Sequence, residues 1–140
     1  MNSLKKAIII ATQAHKGQVD KAGKDYIQHP LFVSTLCKNK KEKIVAVLHD
    51  VVEDTNITLK YLSQYFTKDI IEAIRCISKE KNYKLDEYLY RVKNNKLARI
   101  IKISDLTHNM ELSRLTHVTK EDILRVEKYK KCLKYLKDIS

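Results

Sequence analysis

Apolar residues recur at helical spacing along the whole chain. Leu4, Ala7, Ile8, Ala11 and Ala14 share one face of a predicted helix over residues 3–16. Gly17 follows, where a C′ glycine ends a helix. Pro30 suits a first helical turn, which predicts a second helix over residues 31–37 with His29 at its N-cap or just before it. A third starts near Lys41 and runs through IVAVLHDVVEDT, residues 44–55. A short helix is expected over residues 59–66. Thr67 can N-cap the next, which carries Ile70, Ile71, Ile74 and Ile77. The polar stretch SKEKNYK reads as a loop. Leu85, Tyr88, Leu89 and Val92 mark a sixth helix. Ala98, Ile101, Asp105 and Leu112 form the stripe of a seventh over residues 96–115, with Asn109 beside it. The last, over residues 120–137, sets Ile123, Leu124, Val126, Tyr129, Leu133 and Leu136 among lysines and is expected to close the bundle from outside. The pattern predicts an all-α bundle of about seven or eight helices, forming a single domain over residues 1–140 without repeat or linker.

Composition narrows this further. Only 2 Gly and 1 Pro occur in 140 residues, too few breakers for a sandwich or barrel with many turns. No apolar run approaches the roughly 20 residues of a membrane span. The opening lysines and AIIIA run too briefly into a polar helix to read as a signal peptide, so a cytoplasmic protein with no membrane partner is expected. The 3 cysteines, Cys37, Cys76 and Cys132, are far apart and odd in number, which predicts reduced core thiols. The net charge of +11 comes from lysines spread along the whole chain. It reads as a solvated coat, with no arginine-rich motif to indicate nucleic acid. No exposed apolar seam specifies an oligomer, and a homodimer is left open.

The chemistry concentrates in residues 44–55. At about 100° per residue, Ile44, Val45, Leu48, Val51 and Val52 cover one arc, while His49, Asp50, Glu53 and Asp54 share the rest. Three carboxylates so placed repel one another, and burial unpaired costs several kcal/mol each. A cation resolves that conflict. Asp105 is the other informative exception, a carboxylate within an apolar stripe. His29, His49, Asp50 and Asp105 are therefore the candidate ligands. Taken singly, each has a plain structural reading as a cap, core histidine or salt-bridged acid. Together they suit Mn²⁺ or Fe²⁺, with Zn²⁺ and Mg²⁺ as alternatives. Glu53 and Asp54, one turn on, can orient a water, accept its proton or protonate a leaving oxygen. His15 reads as structural, His108 and His117 as surface or packing residues, and Lys102 as solvated.

These residues carry a resemblance. His29, His49-Asp50 and Asp105 resemble the H…HD…D pattern of the HD-domain metal-dependent phosphohydrolases. The stretches AHKGQ, GKDYIQHP, AVLHDVVEDT and IKISDLTHNM are similar, in order and spacing over about residues 5–115, to the hydrolase domain of the RelA/SpoT proteins and to stand-alone small alarmone hydrolases. The resemblance implies an all-α HD bundle in which His29, His49, Asp50 and Asp105 hold Mn²⁺ and Glu53 and Asp54 serve the attacking water. It also places Tyr26 and Asn109 near a nucleotide and Lys21 near its phosphates. The implied reaction removes the 3′-pyrophosphate from guanosine tetra- or pentaphosphate (ppGpp or pppGpp), the alarmones of the stringent response. The synthetase and regulatory domains of the long members do not fit in 140 residues. One position departs from the family: Asp20-Lys21 stands where it commonly has Arg-Lys. Arginine can stack on a base and attract phosphate; aspartate does neither, and repels a polyanion. The alternatives are hydrolysis of another nucleotide, such as the 2′-phosphate of NADPH, and a non-catalytic nucleotide-sensing module.

Overall fold

The computed structural model describes residues 2–138. Among them the chain forms α1 (Ser3–Ala14), α2 (Gln28–Thr35), α3 (Lys40–Leu48), α4 (Val51–Asp54), α5 (Leu59–Leu62), α6 (Lys68–Ile77), α7 (Leu85–Lys93), α8 (Lys96–Asn109), a 3₁₀ turn (Leu112–Arg114) and α9 (Lys120–Lys137). The all-α expectation holds, and one isolated bridge between Val19 and Asp25 is the β-type pairing among these residues. Among the described residues, no helix is long and apolar enough to cross a membrane.

The second half of α3 lies at the centre because it is entirely apolar. Ile44, Val45, Ala46, Val47 and Leu48 are all buried, and a helix apolar around most of its circumference must be covered on most sides. It packs against α1, α2, α6 and α8. Ala98 and Ile101 of α8 complete the core beneath it. Helix starts are fixed by side chains that accept backbone N–H groups: Asn2 from Lys5, Asn39 from Glu42, Thr58 from Tyr61 and Asn95 from Ala98. Thr119 and Asp122 form a reciprocal capping box on α9. Thr67 occupies the N-cap position of α6, but its hydroxyl bonds Asp69 instead of a backbone N–H.

Five expectations need correction. The predicted helix through residues 44–55 breaks at His49-Asp50. The Ala46 carbonyl accepts from the His49 ring Nδ1 at 2.6 Å and from the His49 backbone N–H at 3.5 Å. Side-chain competition for a helix carbonyl interrupts the regular ladder, and α4 restarts one residue later. The helix predicted over 96–115 stops at Asn109, and beyond it the His108 carbonyl accepts from the Glu111 N–H and from Arg114 Nη1, each at 3.2 Å. α2 begins earlier than expected, so His29 lies in its first turn and Pro30 sits at N3, where an N–H has no intrahelical partner. Gly17 (φ +88°) lies two residues beyond the His15 C-cap, at C″. In α9, Ile123 and Leu124 are exposed, and the inward set is Val126, Cys132, Leu133 and Leu136. The three cysteines are free and buried.

Candidate metal centre

His29, His49, Asp50 and Asp105 converge from α2, the α3–α4 break and α8. Each offers a ligand atom, and these atoms all lie within 4.8 Å of one another. His29 Nε2 is 2.7 Å from Asp105 Oδ1. His49 Nε2 is 3.0 Å from Asp50 Oδ2 and 3.4 Å from Asp105 Oδ1. An unbroken helix would hold His49 and Asp50 about 100° apart; the break lets both aim at one point. The Nδ1–H donated to Ala46 leaves the His49 Nε2 lone pair free. That nitrogen is buried and out of line for a hydrogen bond to either carboxylate. A buried acceptor nitrogen facing two carboxylates is a donor set for a divalent cation.

The charges at this centre depend on one another. Burial opposes a proton on His49, but Asp50 and Asp105 outweigh it and raise its pKa well above the ordinary range. Burial alone would push the Asp105 carboxyl up; Lys102 and His49 overcome this and hold it well below the carboxylate range. Asp50 is likewise lowered, by His49 against its own burial.

Other side chains fix the ligands. Tyr26 donates its hydroxyl to Asp50 Oδ2. Asn109 Nδ2 donates to Asp105 Oδ1 at 3.0 Å. Lys102, read as solvated from sequence, is largely buried and donates from Nζ to Asp105 Oδ2 at 3.2 Å. His108, read as surface or packing, is buried with its Nδ1 at 2.8 Å from His29 Nδ1. A His29 that ligates through Nε2 carries its proton on Nδ1, so His108 accepts there and is protonated on Nε2. Phe32 stacks on His108, with ring centroids 4.3 Å apart. His15 bonds the Gln18 side chain at 2.9 Å and holds the start of the glycine loop; His117 is exposed.

Glu53 and Asp54 are exposed at the edge, and each brings a carboxylate oxygen within 4.8 Å of the other's and of Asp50's. Glu53 Oε1 accepts from the Lys79 N–H at 2.7 Å. Partial burial, then the charge of Asp50, pushes both carboxyls above their ordinary values.

A cleft of about 300 Å³ opens beside the centre, walled by Lys21, Tyr26, Asn109, Arg114, Arg125 and Tyr129. A second hollow of about 240 Å³ shares Asn109, Arg125 and Tyr129 and reaches Asp105, with Lys79, Lys102 and Lys128 around it. The sequence reading assigned Arg125 and Tyr129 to an outer helix. Arg125 is the one arginine of α9, four residues before Tyr129, and that pairing on one helix face was the available signal. Asp20, read as a repelling charge, accepts from Arg114 Nη2 at 3.1 Å.

Comparison with known proteins gives two descriptions that differ. A family model described as PduV-EutP, ethanolamine utilisation - propanediol utilisation, matches residues 3–121. The bifunctional (p)ppGpp synthase/hydrolase SpoT of Escherichia coli K12 is 32% identical over 127 residues, covering 76% of this chain and 17% of that protein. The guanosine-3′,5′-bis(diphosphate) 3′-pyrophosphohydrolase of Borreliella burgdorferi is 32% identical over 123 residues, covering 77% and 18%. The chain thus spans less than a fifth of the length of these curated relatives. A solved structure of a metazoan ortholog of SpoT, which hydrolyzes ppGpp, superposes with a TM-score of 0.82 at 22% identity, over 99% of this chain and 87% of that one. The utilisation description specifies no fold or ligand set that these residues could meet, whereas the SpoT neighbour shares the helical architecture that assembles them. Relatives and fold agree with each other, and the chain belongs to the HD-domain RelA/SpoT-like hydrolases.

Proposed function

We propose that this chain is a Mn²⁺-dependent hydrolase, acting as a single domain, that removes the 3′-pyrophosphate of guanosine tetra- or pentaphosphate. The observation that carries this reading is the convergence of His29, His49, Asp50 and Asp105, with an unpartnered His49 Nε2, next to cation-lined clefts, one of which reaches Asp105. Those four residues would hold the ion. Their mixture of imidazole and carboxylate suits Mn²⁺, with Fe²⁺, Zn²⁺ and Mg²⁺ as alternative occupants. A bound divalent ion supplies a Lewis acid for a phosphoryl oxygen and lowers the pKa of water.

The remaining work falls to the protein's side chains. Glu53 and Asp54 take the proton of the attacking water; their raised pKa values make them stronger bases than ordinary carboxylates. Lys102 keeps its proton, since Asp105 and Tyr88 outweigh the effect of its burial, and it supplies positive charge next to the scissile group. Lys21, Lys79, Arg125 and Lys128 attract the phosphates. Tyr26 and Asn109 line the nucleotide cleft while fixing Asp50 and Asp105. The names of the relatives support guanosine tetraphosphate as substrate. The reading places the protein in the cytoplasm, with a small-molecule partner and no nucleic acid or membrane partner.

Phosphorus NMR of the Mn²⁺-loaded protein with guanosine tetraphosphate, NADPH and simple nucleotides tests the reading. Pyrophosphate and GDP are expected from the first alone. Orthophosphate from NADPH instead would move the specificity. No product from any of them, with metal bound, would contradict hydrolysis and indicate a sensing module.

A further inference from the structure

The 3₁₀ turn delivers Arg114 to the wall of the nucleotide cleft, and the protein fixes its guanidinium at two points. Nη1 donates to the His108 carbonyl at 3.2 Å and Nη2 to Asp20 Oδ2 at 3.1 Å. Asp20 is itself immobilised. Its Oδ1 accepts from the Ala22 and Lys24 N–H groups at 2.9 and 3.0 Å. Its backbone closes the same turn, with Asp20 N–H donating to Lys24 and Gly23 N–H donating to Asp20. Gly23 adopts φ +81°, which a turn this tight requires. The Asp20 side chain is only 12% exposed, so its charge is directed to Arg114 and the loop and not to solvent.

Two consequences follow. An arginine held by two acceptors has already lost most of its rotamer freedom, so a ligand that uses it has less entropy to overcome. An arginine paired with a carboxylate carries little net charge, which weakens it as a phosphate binder but leaves its flat π-surface available for stacking. Position agrees with this. Arg114 lines the cleft shared with Lys21 and Tyr129, but not the hollow that reaches Asp105. It also borders a separate hollow with Asp20, Phe32 and His108, so its guanidinium stands apart from Lys102 and Asp105.

We propose that Arg114 is the base-stacking, specificity-determining residue of this cleft, and that Asp20 is the positioning residue that holds it. The inference rests on the nucleotide reading above, though not on turnover.

The test is calorimetric titration of the Mn²⁺-loaded protein with GDP, which has a base, and with inorganic pyrophosphate, which has none. Arg114→Ala is expected to weaken GDP about ten-fold, the value of one base stacked on a planar side chain, and to leave pyrophosphate unchanged. Arg114→Lys, which keeps the charge and loses the plane, should not restore GDP binding. Asp20→Asn should weaken GDP in the same direction, and Asp20→Asn combined with Arg114→Ala should be no worse than Arg114→Ala alone. Equal weakening of both ligands, full rescue by lysine, or unchanged GDP affinity would each overturn the proposal. So would a wild-type protein that binds pyrophosphate but not GDP. Arg114-dependent GDP binding in a protein that releases no pyrophosphate from guanosine tetraphosphate would remove the hydrolase reading and leave this inference standing.

Discussion

His49 gives one ring nitrogen to the Ala46 carbonyl and turns the other, buried, toward Asp50 and Asp105. That division of labour leaves Nε2 to the proton that Asp50 and Asp105 favour or to a metal ion that displaces it, and on the metal reading the members have separable outcomes. Asp105→Asn, which removes an anionic donor at the meeting point of His29, His49, Lys102 and Asn109, should abolish metal retention and turnover together. Metal analysis after gel filtration checks the first and product release the second. Glu53→Gln should keep the metal and lower kcat by about 10²- to 10⁴-fold, the range for removing a general base. Glu53→Gln protein that emerges without metal would reassign Glu53 to the ligand set. His108→Ala should weaken metal affinity by about 10- to 100-fold, as expected when the partner that orients a ligating histidine is lost. The pH profile follows from the raised carboxyls of Glu53 and Asp54. A base must be deprotonated to act, and a raised pKa moves that loss to higher pH. In the metal-free protein the Glu53 and Asp54 carboxyls should therefore titrate above the ordinary carboxylate range of about 4, read by carboxyl NMR, and a titration at or below that range would contradict the shift.

At the level of elements, the break between α3 and α4 and the placement of α9 build the site. Asp105 was legible in the sequence as a carboxylate in an apolar stripe, His49-Asp50 as the polar arc of an apolar helix, and His29 by its place in the H…HD…D order. The break was not legible. Ile44 to Val52 keep helical periodicity straight across it, and the interruption comes from a ring nitrogen competing for one carbonyl. Lys102 shows a similar limit. Its i,i+3 spacing to Asp105 was visible, but only tertiary packing decides that a lysine between them and Tyr88 is buried. α9 looked like a solvated outer helix because lysine dominates its composition, yet its first turn carries the capping box that sets Arg125 and Tyr129 against the cleft. Thr119→Ala should cost about 1 kcal/mol of stability, read by chemical denaturation. Asp122, bonded by the Thr119 backbone and by Arg125, is held down at about 2. A depressed carboxyl contributes stability that is complete above its unfolded value and lost as pH falls through the folded one. Asp122→Asn should therefore melt below wild type at neutral pH, and the gap should close between about pH 4 and pH 2.

Across the whole molecule, the same apolar residues serve fold and chemistry. Residues 44–48 of α3 are all buried, so His49 at the helix end is fixed by the full weight of the core. The all-α class was readable from periodicity and from the shortage of Gly and Pro. The cation-lined clefts were not, because Lys21, Lys79, Lys102 and the Arg125–Lys128 pair of α9 come from four separate segments whose meeting no local pattern encodes. Leu48, fully buried one residue before His49, couples the two roles. Leu48→Ala should destabilise the fold by about 2–5 kcal/mol, the cost of a core cavity, and should weaken metal binding before the chain unfolds. A denaturant series with metal analysis at each step would show whether the two losses separate. The central claim is that one ion, held by His29, His49, Asp50 and Asp105, makes this protein a pyrophosphohydrolase. The most direct measurement is stepwise reconstitution of chelator-stripped protein with Mn²⁺, following pyrophosphate release from guanosine tetraphosphate against metal bound per chain. Activity should rise from none and level off at one equivalent; full activity in the stripped protein, or no activity at one bound equivalent, would contradict it.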